Sequence, residues 1–133
     1  MSHHREELRV AGLAEPISHY TDAVQSGGLL FISGIVPVDA DLKLVGEGDV
    51  VEQTRQVFRS MELVLQAAGC SAADVCKVTV FLLDIADRAR INPVRQEFFG
   101  DARPASTLVE VSALAVPGAL IEIEAVAAIP GES

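Results

Sequence analysis

Two glutamates, Glu122 and Glu124, are the residues of this chain best placed to do chemistry. They alternate with Ile121, Ile123 and Ala125, so in a strand they project from one face and the apolar residues from the other. On spacing alone, that describes the solvated side of a two-faced strand. Leu108, Leu120 and Val126 read onto the same face, however, and a carboxylate among such neighbours has a raised pKa and can hold or activate a water. Nothing in the spacing separates Glu122 from Glu124. His19 titrates in the range a general base needs, but standing alone beside Tyr20 it reads as an exposed loop histidine. Asp22, Asp39, Asp74, Asp84 and Asp87 fall at element ends, where carboxylates cap and solvate. No Gly-rich phosphate loop, nucleophile elbow or cluster of metal ligands is present, and His3 with His4 does not make a metal site. Cys70 and Cys76 lack the spacing of a zinc ribbon or a redox pair and read as small core residues.

The elements that position these groups follow from periodicity and punctuation. Tyr20–Ser26 and Leu29–Val36 flank Gly27-Gly28, a two-residue turn that predicts a β-hairpin. Gly34 inside the second of these strands marks either tight packing or the close approach of another backbone or a ligand. A polar loop over 39–48 holds a short strand at Leu42–Val45. A helix follows, capped by Asp49 with Glu52 completing an acidic capping box, and ended by Gly69. Val50, Thr54, Val57, Phe58, Met61, Val64, Leu65 and Ala68 form its core face, and Arg55, Arg59, Glu62 and Gln66 the other. Ser71–Asp74 predicts a short capped turn, and Val75–Leu83 a central, largely buried strand. The segment Asp84–Gly100 predicts a helix interrupted near Pro93, with Phe98 and Phe99 packing it against the sheet. Strands at Ala105–Ser112 and Leu120–Ile129 close the chain, with a turn at Val116-Pro117-Gly118. The order β-β-α-β-α-β-β predicts an α+β sheet backed on one face by two helices, a single domain over residues 1–133. The apolar content of its other face predicts burial against another subunit.

Composition sets the outer limits. A chain of 133 residues, half of them hydrophobic, can bury one core without disulfides or metal. A net charge of −9 with ten scattered basic residues argues against nucleic acid as a partner. No apolar run is long enough to span a bilayer, and the polar start, Ser2 to Glu7, predicts no signal peptide. Two thiols and no export signal fit a reducing cytoplasm.

Five fragments, in order and spacing, resemble the RidA/YjgF family: Ser33-Gly34-Ile35-Val36-Pro37, Ala67-Ala68-Gly69, Lys77-Val78-Thr79-Val80-Phe81, Glu97-Phe98-Phe99 and Ile121-Glu122-Ile123-Glu124-Ala125. The likeness covers roughly residues 17 to 127. It implies a chorismate-mutase-like fold assembled as a homotrimer, with ligand pockets between adjacent subunits. It implies hydrolysis of reactive enamines and imines to a carbonyl compound and ammonia, without metal or organic cofactor. Carried over by motif, the water-positioning glutamate is Glu122, and Tyr20, Gly34 and Asn92 line the pocket. Family members carry an arginine that grips the substrate carboxylate in a Pro-Ala-Arg-Ser motif; this chain reads Pro104-Ala105-Ser106-Thr107-Leu108. Ser106 stands in the arginine's place, Leu108 at the next pocket position, and Ser106 with Thr107 offers only neutral hydrogen bonds. Arg103, across a proline, is no evident substitute. Two functions follow as expectations: a deaminase with altered substrate, or a non-catalytic module binding a small metabolite in the same inter-subunit cleft. A chaperone-like role has no support in the residues, nor does ribonuclease activity, for want of a histidine pair or basic groove.

Overall fold

The computed structural model describes residues 4–131, so His3 lies outside it. Its strands are β1 (Glu6–Leu8), β2 (Ala23–Ser26), β3 (Leu29–Ile35), β4 (Val75–Leu82), β5 (Ala105–Glu110) and β6 (Ile121–Ala128). Its helices are α1 (Val50–Ala67) and α2 (Arg88–Phe99). The strands form one sheet in the order β1-β2-β3-β6-β4-β5. Only β4 and β5 run parallel; the other neighbours are antiparallel.

The hairpin forms as its glycines predict. Gly27 and Gly28 both have positive φ, +60° and +78°, the conformation of a tight turn matched to strand twist. The β2 strand starts only at Ala23, leaving Tyr20 in the loop before it. Glu6–Leu8, which carries no apolar alternation, is a strand the sequence does not announce; it exists by pairing with β2. The expected strand at 42–45 reduces to one bridge, Val38 to Leu44.

Asp49 caps α1 by accepting from the backbone N–H groups of Val51 and Glu52. Glu52 does not close a box. Its carboxylate instead meets Arg55 at 3.0 Å, while the Asp49 N–H goes to the Gly46 carbonyl. Beyond Ala68 the helix ends in paired bonds, Cys70 N–H to Leu65 O and Gly69 N–H to Gln66 O, which satisfy two of the last carbonyls. Pro93 does not interrupt α2, which runs through it as a single helix. The proline withholds one N–H from the ladder, and the loss is tolerated because Ile91 and Val94 are buried on either side. Phe99 belongs to the core shared with the sheet and Phe98 packs against it, but both rings also meet α1. Phe98 stacks on Phe58 of α1, with ring centroids 4.4 Å apart, and Phe99 meets Phe58 edge-on at 5.6 Å. They tie helix to helix.

The core lies between α1 and one face of the sheet. Val78, Val80 and Leu82 of β4 and Ile121, Ile123 and Ala125 of β6 supply the sheet side. Val57, Met61, Val64 and Leu65 fill the helix side. The turn at 116–118 does not make a hairpin of the last two strands. The β6 strand inserts between β3 and β4, so the chain crosses over β4 after β5. Cys70 is buried as expected, but Cys76 is exposed: the alternation that turns Val78, Val80 and Leu82 inward would turn it inward too, and a register shift between Val75 and Lys77 puts it outside. Asp22 is buried instead of solvated, and accepts from Arg9 and from the Val10 N–H at 2.7 Å.

Candidate active site

A bulge in β3 builds the first half of the site. Ile32 pairs with Ala125 and Ile35 with Ile123, so Ser33 and Gly34 together face the single residue Glu124. Such an insertion bends the strand and re-aims its side chains. The Ser33 N–H donates to the Asp22 carbonyl at 3.1 Å and its hydroxyl to the Thr21 carbonyl at 2.6 Å. These bonds fold the loop bearing Tyr20 back against the bulge. Glu122 then lies directly over Gly34: a methyl group built there would fall on Glu122 Oε2 and lie 3.0 Å from Cδ. The glycine marks the close approach of a carboxylate.

Ile17, Tyr20, Ser33, Gly34, Val116 and Glu122 surround an open hollow of about 270 Å³. Its Glu122 is half-buried, and burial first, then the neighbouring charge of Glu124, pushes its carboxyl above the ordinary carboxylate value. Glu124 is exposed and faces a different hollow with Phe31, Lys77 and Thr79. Geometry therefore separates two glutamates that spacing leaves equivalent.

Other residues singled out in the sequence lie on the other side of the sheet. Ser106 pairs with Val78 and Leu108 with Val80, and residues paired across a ladder share a face. Val78 and Val80 are buried under the helices, so Ser106 and Leu108 point to the helix side. Glu122 pairs with Phe81 and points away from it. The expectation that Leu108 shares the face of Glu122 is therefore wrong: Leu108 packs against the core, as does Leu120. The open face instead carries Phe31, Phe81, Val109 and Val126. Thr107 is also on that face, and Lys77 Nζ donates to its hydroxyl at 2.7 Å.

Ser106 is not alone. Arg95 of α2 donates from Nη2 to Ser106 Oγ at 2.8 Å. Asn92 lies one turn before Arg95, where i and i+3 share a helix face. Both line a broad groove with Gln96, Asp101 and Arg103. Within one chain, then, Tyr20, Gly34 and Glu122 come together, and Asn92 lies elsewhere beside Arg95, which is bonded to Ser106. No group of three or more His, Cys, Asp or Glu side chains that could hold a metal exists among the described residues. Among them, too, no helix is long and apolar enough to cross a membrane.

This α+β chain, with its bulged third strand under a glutamate, matches the family described as Endoribonuclease L-PSP over residues 12–129. It is 43% identical to a RutC family protein of Pyrococcus horikoshii, over 92% of this chain and 97% of that protein. It is 38% identical to the 3-aminoacrylate deaminase RutC of Acinetobacter baylyi, again over 92% of this chain and 97% of that one. The crystal structure of YyfA from Yersinia pestis, a protein of unknown function of the conserved Rid protein family, superposes with a TM-score of 0.89. There the identity is 33%, over 95% of this chain and all of that chain. The chain belongs to the RidA/YjgF family.

Proposed function

We propose that this protein hydrolyses small enamines and imines to a carbonyl compound and ammonia, with Glu122 handling the water. One observation carries the reading: a half-buried carboxylate, raised in pKa, seated over Gly34 in a hollow beside Tyr20. An enamine first takes a proton from solvent on carbon to become an iminium. Glu122 accepts a proton as water oxygen bonds to the iminium carbon, then returns it to nitrogen; the C–N bond breaks, ammonia leaves, and the hydroxyl gives its remaining proton back to solvent as the carbonyl forms. The balance requires water alone, and a base with a pKa nearer neutrality suits both proton transfers. The relative named as a 3-aminoacrylate deaminase supports the same chemistry. The replacement at Ser106 supports a substrate preference that differs from that of arginine-bearing relatives.

The two half-sites lie on opposite faces of one sheet, and only a second chain brings them face to face. Tyr20 is 46% and Phe31 45% exposed, apolar surface that association would cover. We therefore expect a homotrimer with the cleft between subunits, as the family resemblance implies. Light scattering should give about three times the 14.1 kDa chain. A monomer at micromolar concentration would dissolve the shared cleft.

The same cleft could serve a non-catalytic binder of small metabolites, a reading favoured by the absence of an arginine at position 106. The pH profile divides the two. A base works as its carboxylate, so kcat should fall as pH drops through the raised pKa of Glu122, giving an acid limb above the ordinary carboxylate range. Binding without chemistry gives no such limb in product release. Stability moves the opposite way. Between the unfolded and the raised folded pKa, the folded chain holds a proton that the unfolded chain has lost, so Glu122 costs stability as pH rises through that window. Polyanion cleavage fits poorly with a net charge of −9.

A further inference from the structure

We infer that Arg95, held by Ser106, is the anion anchor of this chain, so that the guanidinium meeting a ligand's carboxylate comes from α2 and not from β5. The inference rests on the proposed deaminase reading for the reacting end of the ligand only; the anchoring end is argued from α2 and β5 themselves.

A guanidinium has five N–H donors in a planar fork and no acceptor. Arg95 spends one on Ser106 Oγ at 2.8 Å. Arg5, Arg9, Arg55, Arg59 and Arg90 each lie within 4.0 Å of a carboxylate; Arg95, like Arg88 and Arg103, pairs with none among the described residues, and of these three Arg95 is the one held by a side-chain hydrogen bond. It is also half-buried, and burial pushes its pKa below the ordinary arginine value. A half-desolvated cation without a paired carboxylate carries a modest cost that an incoming anion offsets. The surroundings suit one. Arg103 lines the same groove, and Asp101 is the one acidic group among its lining residues. The Ser106 hydroxyl, having accepted from Arg95, still has its own O–H to donate. The β5 strand is the last in the sheet, so one edge of its backbone is free of strand partners. A fork plus a hydroxyl on one side of a cleft fits the two oxygens of a carboxylate better than a point charge would.

The chemistry of position 106 changes accordingly. The serine removes a guanidinium from the strand, and α2 supplies one from another direction. The substrate stays anionic, while the distance from its carboxylate to the reacting carbon is set by a helix. That is a basis for altered selectivity without loss of charge recognition.

The probe is pyruvate, a small 2-oxo acid, titrated calorimetrically into the full-length, assembled protein. Methyl pyruvate, which lacks the charge, is the ligand-side control and depends on no variant. Pyruvate should bind wild type at least about ten-fold more tightly than the ester. Arg95→Gln should weaken pyruvate by about ten- to a hundred-fold, and Arg95→Lys by less, since it keeps charge but loses the fork. Arg90→Gln, on the exposed side of the same helix, should change nothing. A double variant, Arg95→Gln with Ser106→Arg, should recover part of the affinity by returning the guanidinium to the strand. Equal binding of acid and ester, undiminished binding by Arg95→Gln, or no pyruvate binding to wild type at millimolar concentration would overturn the proposal. Arg95-dependent pyruvate binding without imine hydrolysis would leave the anchor standing and remove the deaminase. Imine hydrolysis with Arg95-independent binding would do the reverse.

Discussion

Glu122→Gln should lower kcat for enamine or imine hydrolysis by about two decades or more, the usual contribution of a positioned acid–base group. Glutamine keeps the size of the side chain and its capacity to hydrogen-bond, but it neither takes a proton from water nor returns one to nitrogen. The substitution should leave the fold intact. Glu122 is half-buried with a raised pKa, so removing its charge relieves desolvation and repulsion from Glu124, and the melting temperature should hold or rise slightly. The acid limb of the pH profile should vanish with the carboxyl group. Loss of kcat accompanied by unfolding would point to a structural part for Glu122, and retained kcat would remove it from the chemistry.

Gln53→Leu should destabilise the chain by about 3 kcal/mol, a fall in Tm of about 10 °C for a domain of this size. Gln53 is fully buried in α1, yet all its polar atoms are used. Nε2 donates to the carbonyls of Gly46 at 3.1 Å and Gly118 at 3.0 Å, and Oε1 accepts from the Leu120 N–H at 2.7 Å. A leucine fills the volume and strands two backbone groups, the Gly118 carbonyl and the Leu120 N–H, while the Gly46 carbonyl keeps the Asp49 N–H; the N–H ahead of β6 is the more costly to leave unpaired. The effect reaches the site, because the turn that Gln53 holds carries Val116 into the Glu122 hollow. Chemical denaturation of the variant checks the figure. A loss below about 1 kcal/mol would mean that water replaces the amide at little cost.

What the sequence makes legible is local. Asp49, the eight core-face positions from Val50 to Ala68 and Gly69 define that helix to within a residue at each end. The β-branched run of β4 and the alternation of β6 define two central strands, and alternation sorts Glu122 from Ile121 and Ile123. Alternation within β5 is equally readable, with Ser106 and Leu108 on one side and Thr107 and Val109 on the other. Which of those sides matches Glu122 is not readable, because period two fixes faces within a strand and says nothing of register between strands. That choice is made by the parallel pairing of β5 with β4, and it carries Ser106 away from Glu122. The insertion of β6 between β3 and β4 is a long-range pairing of the same kind. Gln53 escapes notice and Asp22 reads as solvated because a buried polar residue looks like a surface one until its partners are known. Arg95 escapes for a related reason. It sits three residues from Asn92 on a helix of weak amphipathicity, and its meaning depends on what lies opposite.

The most direct measurement is ammonia release from an enamine or imine formed in place from its amine, with wild type and Glu122→Gln side by side. Wild type at catalytic concentration should release ammonia and carbonyl product in equal amounts, well above the buffer rate, while Glu122→Gln stays close to that rate. Wild-type release no faster than buffer, or Glu122→Gln as fast as wild type, would contradict the account.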